Sequence, residues 1–124
     1  MLTMKVLEDA AAVKEYAARD AIPYEDGLCI YLAENRGEEL GICYYIRRDY
    51  GMEILHADAG DDLFLLDGVV RSAMSKLFDM EKDMVSFDNC KNLDQLRSLD
   101  VLDADKTVIE SANTFFETHK NCKK

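Results

Sequence analysis

Between Leu28 and Asp58 the chain carries three apolar-rich runs, LCIYLAEN, GEELGICYYIRRD and GMEILHAD, broken by Asn35-Arg36-Gly37 and Asp49-Tyr50-Gly51. Runs of this length bounded by glycine-bearing turns predict three strands of an antiparallel meander, with a glycine available for positive φ at each turn. The runs are nearly continuous in Ile, Tyr, Leu and Cys, so the sheet is expected to be covered on much of both faces. Ahead of it, EDAAAVKEYAARD (8–20) reads as a helix with a weak stripe of Ala10, Val13 and Ala17, packed across the meander. The segment 20–27 holds the only proline, Pro23, and is a connector.

After the meander, Leu63, Leu66, Val70, Met74 and Leu77 recur at helical spacing and predict a helix over 63–80, with Asp61 or Asp62 as its N-cap. Met84-Val85-Ser86-Phe87 suits an interior strand. A helix separates it from the strand ending at Asp58, so a parallel crossover is expected. Asn92 followed by Gln95 has the form of a capping box opening a helix over 92–102, striped by Leu93, Leu96 and Leu99. The tail from Asp105 fits either one helix, which periodicity alone prefers, or a strand at 107–111 followed by a short helix capped near Asn113. The whole is one α+β domain over 1–124, with a mixed central sheet.

Composition narrows the function classes. A formal charge of −10 argues against nucleic acid and anionic membrane surfaces as partners, since phosphate binding needs a basic patch. No apolar run reaches the roughly 20 residues that span a bilayer, and the amino terminus has no signal-peptide pattern, so a cytoplasmic protein is expected. The cysteines Cys29, Cys43, Cys90 and Cys122 are widely spaced and read as reduced thiols, and neither His56 nor His119 has a ligand-spaced neighbour, so no metal site is expected. By strand alternation Glu53 and His56 fall on opposite faces, His56 sharing its face with Ile54 and Asp58. A histidine beside an aspartate is a candidate base near neutral pH.

The order of elements, together with Tyr31-Leu32-Ala33-Glu34-Asn35, Glu39-Leu40-Gly41-Ile42-Cys43-Tyr44-Tyr45, Glu53 to Ala59, and Phe87-Asp88-Asn89 through Leu99-Asp100-Val101, resembles the GNAT family of N-acetyltransferases over about Ile22 to Asp105. The resemblance implies a GNAT-like fold in which the fourth and fifth strands run parallel and splay, acetyl-CoA entering the gap. It favours strand then helix for the tail. It implies Glu53, His56 and Asp58 as catalytic residues acting on a small-molecule amine. Ala57, Gly68 and Asn89 are implied as cofactor contacts, with pyrophosphate at the amide-rich start of the following helix. Leu65-Leu66-Asp67-Gly68-Val69-Val70 aligns with the phosphate loop and retains Gly68, while Leu96 stands at the position of the family's general-acid tyrosine, a role open to Tyr44 or Tyr45.

A second reading comes from charge. Asp58, Asp61, Asp62 and Asp67 crowd this region with no Lys or Arg between Arg48 and Arg71. Such a face suits a cationic ligand or basic partner, and the chain would then be a non-catalytic GNAT-like binding module. An exposed edge strand would support a homodimer.

Overall fold

The computed structural model describes residues 2–99, 101–102 and 105–121. Six strands form one sheet in the order β1-β2-β3-β4-β5-β6, comprising β1 Leu2–Leu7, β2 Leu28–Asn35, β3 Glu38–Arg48, β4 Gly51–Asp58, β5 Met84–Ser86 and β6 Val108–Ile109. Every neighbouring pair is antiparallel except β4 and β5, which are parallel. The helices are α1 Ala10–Arg19, α2 Leu63–Met74 continued by a 3₁₀ turn Ser75–Leu77, α3 Leu93–Arg97 and α4 Ala112–Asn121. The meander and the parallel crossover through α2 are as the pattern predicts, and the tail is a strand then a helix, the alternative the resemblance favours.

The first strand is not among the sequence expectations, although Leu2, Met4 and Val6 alternate with Thr3 and Lys5, the two-residue period of an edge strand. Turn chemistry explains the meander in detail. Arg36 and Gly37 both have positive φ (53° and 83°) in a two-residue loop between the paired Asn35 and Glu38, the mirror-image turn that matches strand twist. At the second turn the glycine works differently. Gly51 lies just past it at φ 144°, pressed so closely on β5 that an added Cβ would sit 2.2 Å from the Met84 carbonyl oxygen.

Two cores flank the sheet. On one side Val13 and Ala17 of α1 meet Ile30, Leu32, Ile42, Tyr44 and Ile46. On the other, α2 (Leu66, Val70, Met74), Leu96 of α3 and Phe115 of α4 cover Cys43, Tyr45, Met52 and Ile54. The helix stripes differ from expectation only at their starts, where Ala10 is exposed and Leu63 is 45% exposed. α1 and α2 each open on a true cap, Asp9 accepting from the Ala12 N–H and Asp62 from the Leu65 N–H. α3 ends at Arg97, short of the expected 102, and Asp100 lies outside the described residues. Cys29, Cys43 and Cys90 are free thiols, while Cys122 lies outside the described residues. Burial pushes the Cys90 thiol up to about 11 and raises the Cys43 thiol further, so neither is a ready thiolate. No helix among the described residues is long and apolar enough to cross a membrane.

A bulged strand and a bridged fork as the candidate site

β4 and β5 pair over only three residues, Gly51 with Met84, Met52 with Val85 and Glu53 with Ser86, and then part. The paired residues are the first three of β4. Two features open the fork. On one prong the Phe87 N–H turns away to the Thr107 carbonyl (2.7 Å), extending the β6 side of the sheet. On the other, β4 carries a bulge, because Tyr44 pairs with His56 whereas Tyr45 pairs with Ile54, leaving Leu55 unmatched.

The bulge resets the alternation. Glu53 is opposite Ile46 and His56 opposite Tyr44, and both partners belong to the α1-side core, as does Leu55. Glu53, Leu55, His56 and Asp58 therefore share the α1 face, while Ile54 and Ala57 face α2. The expectation that Glu53 and His56 lie on opposite faces, with Ile54 beside His56, is thus corrected. A strict two-residue alternation does not survive an inserted residue.

Above the fork Asn92 helps to rejoin the prongs. Asn92 accepts from the Ala57 N–H (3.2 Å) and donates through Nδ2 to the Ala57 carbonyl, occupying both backbone groups of a fully buried residue. The Lys91 N–H adds a bond to the Leu55 carbonyl (2.9 Å). Asn92 consequently makes no side-chain cap to α3, and its only capping-box contact is between its Nδ2 and Gln95 Oε1 (3.2 Å). The sequence form of a helix cap is here a strand staple.

These residues do not fit acyl-CoA. The Ala57 backbone, the expected cofactor contact on β4, is already paired within the chain. Gly68 lies inside α2, where its N–H belongs to the helix ladder rather than to an open loop. Asp62 already caps the first turn, Asp58 Oδ1 accepts from the Gly60 N–H, and the nearby cation Arg71 is held by Asp67 at 2.7 Å. A pyrophosphate would meet carboxylates where it needs donors.

His56 is half-buried against the Tyr44 ring (centroids 6.0 Å apart), and its Nδ1 has no hydrogen-bond partner among the described residues. Burial depresses its pKa, Asp58 and Asp20 opposing and Lys91 assisting. The Tyr44 hydroxyl is shared between the Tyr16 carbonyl and the Asp20 carboxylate, and burial followed by Asp20 pushes its pKa well up. Tyr45 is raised too, chiefly by burial, and lies on the α2 side. Leu96 is core.

No family model, curated protein or solved structure matches this chain. The site must therefore be read from its own geometry.

On the α1 side of the fork a pocket of about 420 Å³ opens between the connector 21–25 and the two prongs. Glu53, 4% exposed, forms part of its wall. Glu53 Oε1 accepts from Arg48 Nε (3.0 Å) and Nη2 (2.8 Å), and Oε2 accepts from Asn89 Nδ2 (2.8 Å). Arg48 also forks onto Glu25 through Nη1 (2.7 Å) and Nη2 (3.0 Å). Asn89, expected as a cofactor contact, thus turns to a carboxylate, and Glu53 borders the pocket whereas His56 does not. Arg48, Glu25 and Lys91 are the residues the sequence did not single out. A connector holding the lone proline, facing a strand with an internal carboxylate, was the available signal. Among the described residues no group of three or more metal-ligating side chains converges.

Proposed function

We propose that this chain is a non-catalytic binding module with a GNAT-like fold. The observation that carries this reading is the Asn92 staple, which spends both backbone groups of Ala57 on the protein itself. A fork whose hydrogen bonds are internally satisfied offers an extended ligand no strand-like pairing, and displacing Asn92 would leave buried groups unpaired. The exposed carboxylates Asp58, Asp61 and Asp62 beside it favour a cationic ligand or basic partner.

The second reading is N-acyl transfer from acetyl-CoA to a small amine. In its favour the bulge sets Glu53, His56 and Asp58 on one face, so a proton acceptor for an amine lies beside the fork.

Thermal denaturation separates the two. A ligand at about a hundred times its Kd adds about 2.7 kcal/mol to native-state stability, several degrees for a domain of this size. The binding-module reading expects millimolar acetyl-CoA to leave the melting temperature unchanged, and a short oligolysine to raise it at low salt. Replacing Asp61 and Asp62 by Asn should abolish the oligolysine shift. A rise with acetyl-CoA, accompanied by acetylation of any amine, would instead establish transfer.

A further inference from the structure

The donor and acceptor positions left over in the pocket beside the fork form two opposite poles. Lys91 Nζ donates one bond, to the Asp20 carbonyl (2.9 Å), and among the described residues no carboxylate lies in ion-pair range of it. An ammonium has three hydrogens, so about two point to no protein acceptor. The other pole is the Glu25–Arg48–Glu53 triad, with two carboxylates sharing one guanidinium and one negative charge in excess. Each carboxylate offers about four acceptor positions. Glu53 uses three and Glu25 two, leaving about three between them.

Between the poles the wall is apolar, made by Ile22, Pro23 and Leu55. Ile22 is 5% exposed and belongs to the α1-side core, so this wall is rigidly backed. The excess charges cancel overall, which disfavours a simple cation or anion and favours a ligand carrying both signs.

We propose that this pocket binds a zwitterion of the α-amino-acid type. The ligand ammonium sits against Glu25 and Glu53, its carboxylate on Lys91, and its apolar side chain against Ile22, Pro23 and Leu55. About three acceptors meet the three hydrogens of an ammonium, and about two free hydrogens meet a carboxylate. The roughly 420 Å³ pocket holds one amino acid of leucine size with room for water. No reaction is invoked, and the site is distinct from the acidic face of Asp58, Asp61 and Asp62, so it stands or falls separately from the partner assigned to that face.

Isothermal titration with L-leucine, leucinamide and N-acetylleucine tests it on the intact chain. Wild type should bind leucine with a micromolar to millimolar Kd and each analogue at least about tenfold more weakly, since each loses one charged contact. Lys91→Met should weaken leucine about tenfold yet leave leucinamide unaffected, erasing the preference between them. Glu25→Gln should likewise erase the preference for leucine over N-acetylleucine. Both substituted side chains are exposed, and an unchanged melting temperature certifies the fold. The proposal is overturned if leucine gives no heat and no chemical-shift change at about 10 mM, where a millimolar Kd would nearly saturate the site. It is equally overturned if leucinamide binds wild type as tightly as leucine, or if Lys91→Met weakens both alike.

Discussion

Replacing Asn92 by Ala removes the side chain that holds both backbone groups of Ala57 across the fork. Ala57 is fully buried, and the substitution strips partners from both its N–H and its carbonyl. An orphaned buried polar group costs about 1–3 kcal/mol, and water entering the vacated space recovers part of that, so a loss of about 3 kcal/mol is expected. Against a total stability of about 5–15 kcal/mol this is a large fraction. With a urea m-value of about 1.5 kcal/mol/M, the unfolding midpoint should fall by about 2 M. Hydrogen exchange localises the effect, since the Ala57 amide should lose protection while amides of the β2–β3 hairpin keep theirs relative to global stability. Asn92→Asp gives a sharper signature. Its carboxylate can still accept from the Ala57 N–H but repels the carbonyl, so it should be at least as damaging at neutral pH and partly recover below about pH 4, once protonated. A midpoint change under about 0.3 M for Asn92→Ala, or an Ala57 amide that stays fully protected, would show that the fork is held by something other than this side chain.

Gly51→Ala should cost about 3 kcal/mol or more in urea denaturation, because its Cβ meets the Met84 carbonyl at 2.2 Å and its φ of 144° resists any side chain. His56 titrates lower in the fold than its free value of about 6.5, so the unfolded chain takes up the extra proton and stability falls as pH drops from that value toward the folded one. The stability gap between wild type and His56→Gln should therefore narrow between about pH 7.5 and 5.5; a constant gap would refute it. Asp83 anchors the start of α4, accepting from Ser111 Oγ (2.7 Å), the Asn113 N–H (2.9 Å) and Asn113 Nδ2 (2.7 Å). Burial opposes its ionisation, but these bonds outweigh it and hold the carboxyl below the usual range. Its contribution is present above about pH 4 and lost as pH falls through the lower folded value. Asp83→Ala should cost about 1–2 kcal/mol at pH 7, as loss of a helix cap does, and much less near pH 3 by circular dichroism in urea.

Local chemistry was legible wherever one short stretch determines the outcome. Asp62 caps α2 because a short carboxylate ahead of an apolar helical stripe has few better options. The Arg36-Gly37 loop follows from a glycine between two strand-like runs, whereas the spacing of Val108, Ile109, Ala112 and Phe115 suits a single helix and does not reveal that Val108 and Ile109 pair with β5. Outcomes set by distant partners were not legible. Asn92 has the sequence form of a cap, yet a strand 35 residues away offers it two buried backbone groups, worth more than one exposed helical N–H. The bulge at Leu55 likewise leaves no mark in composition, since GMEILHAD is equally apolar on either phase. The pocket triad joins Glu25, Arg48 and Glu53 from a connector and two strands, a juxtaposition visible only once the hairpin closes.

That surplus residue in β4 also governs how the protein can change over evolutionary time. Upstream of it, the strand answers to β5; downstream, the same strand answers to Asn92 and to α1. Losing Leu55 itself would leave every later side chain on its present face, because the remaining residues already alternate, whereas straightening the strand with Leu55 retained would present an imidazole and an aspartate to the packed underside of α2. The step and the length of β4 are therefore tied together, so a lineage that keeps these faces either keeps the bulge with its extra residue or loses both at once.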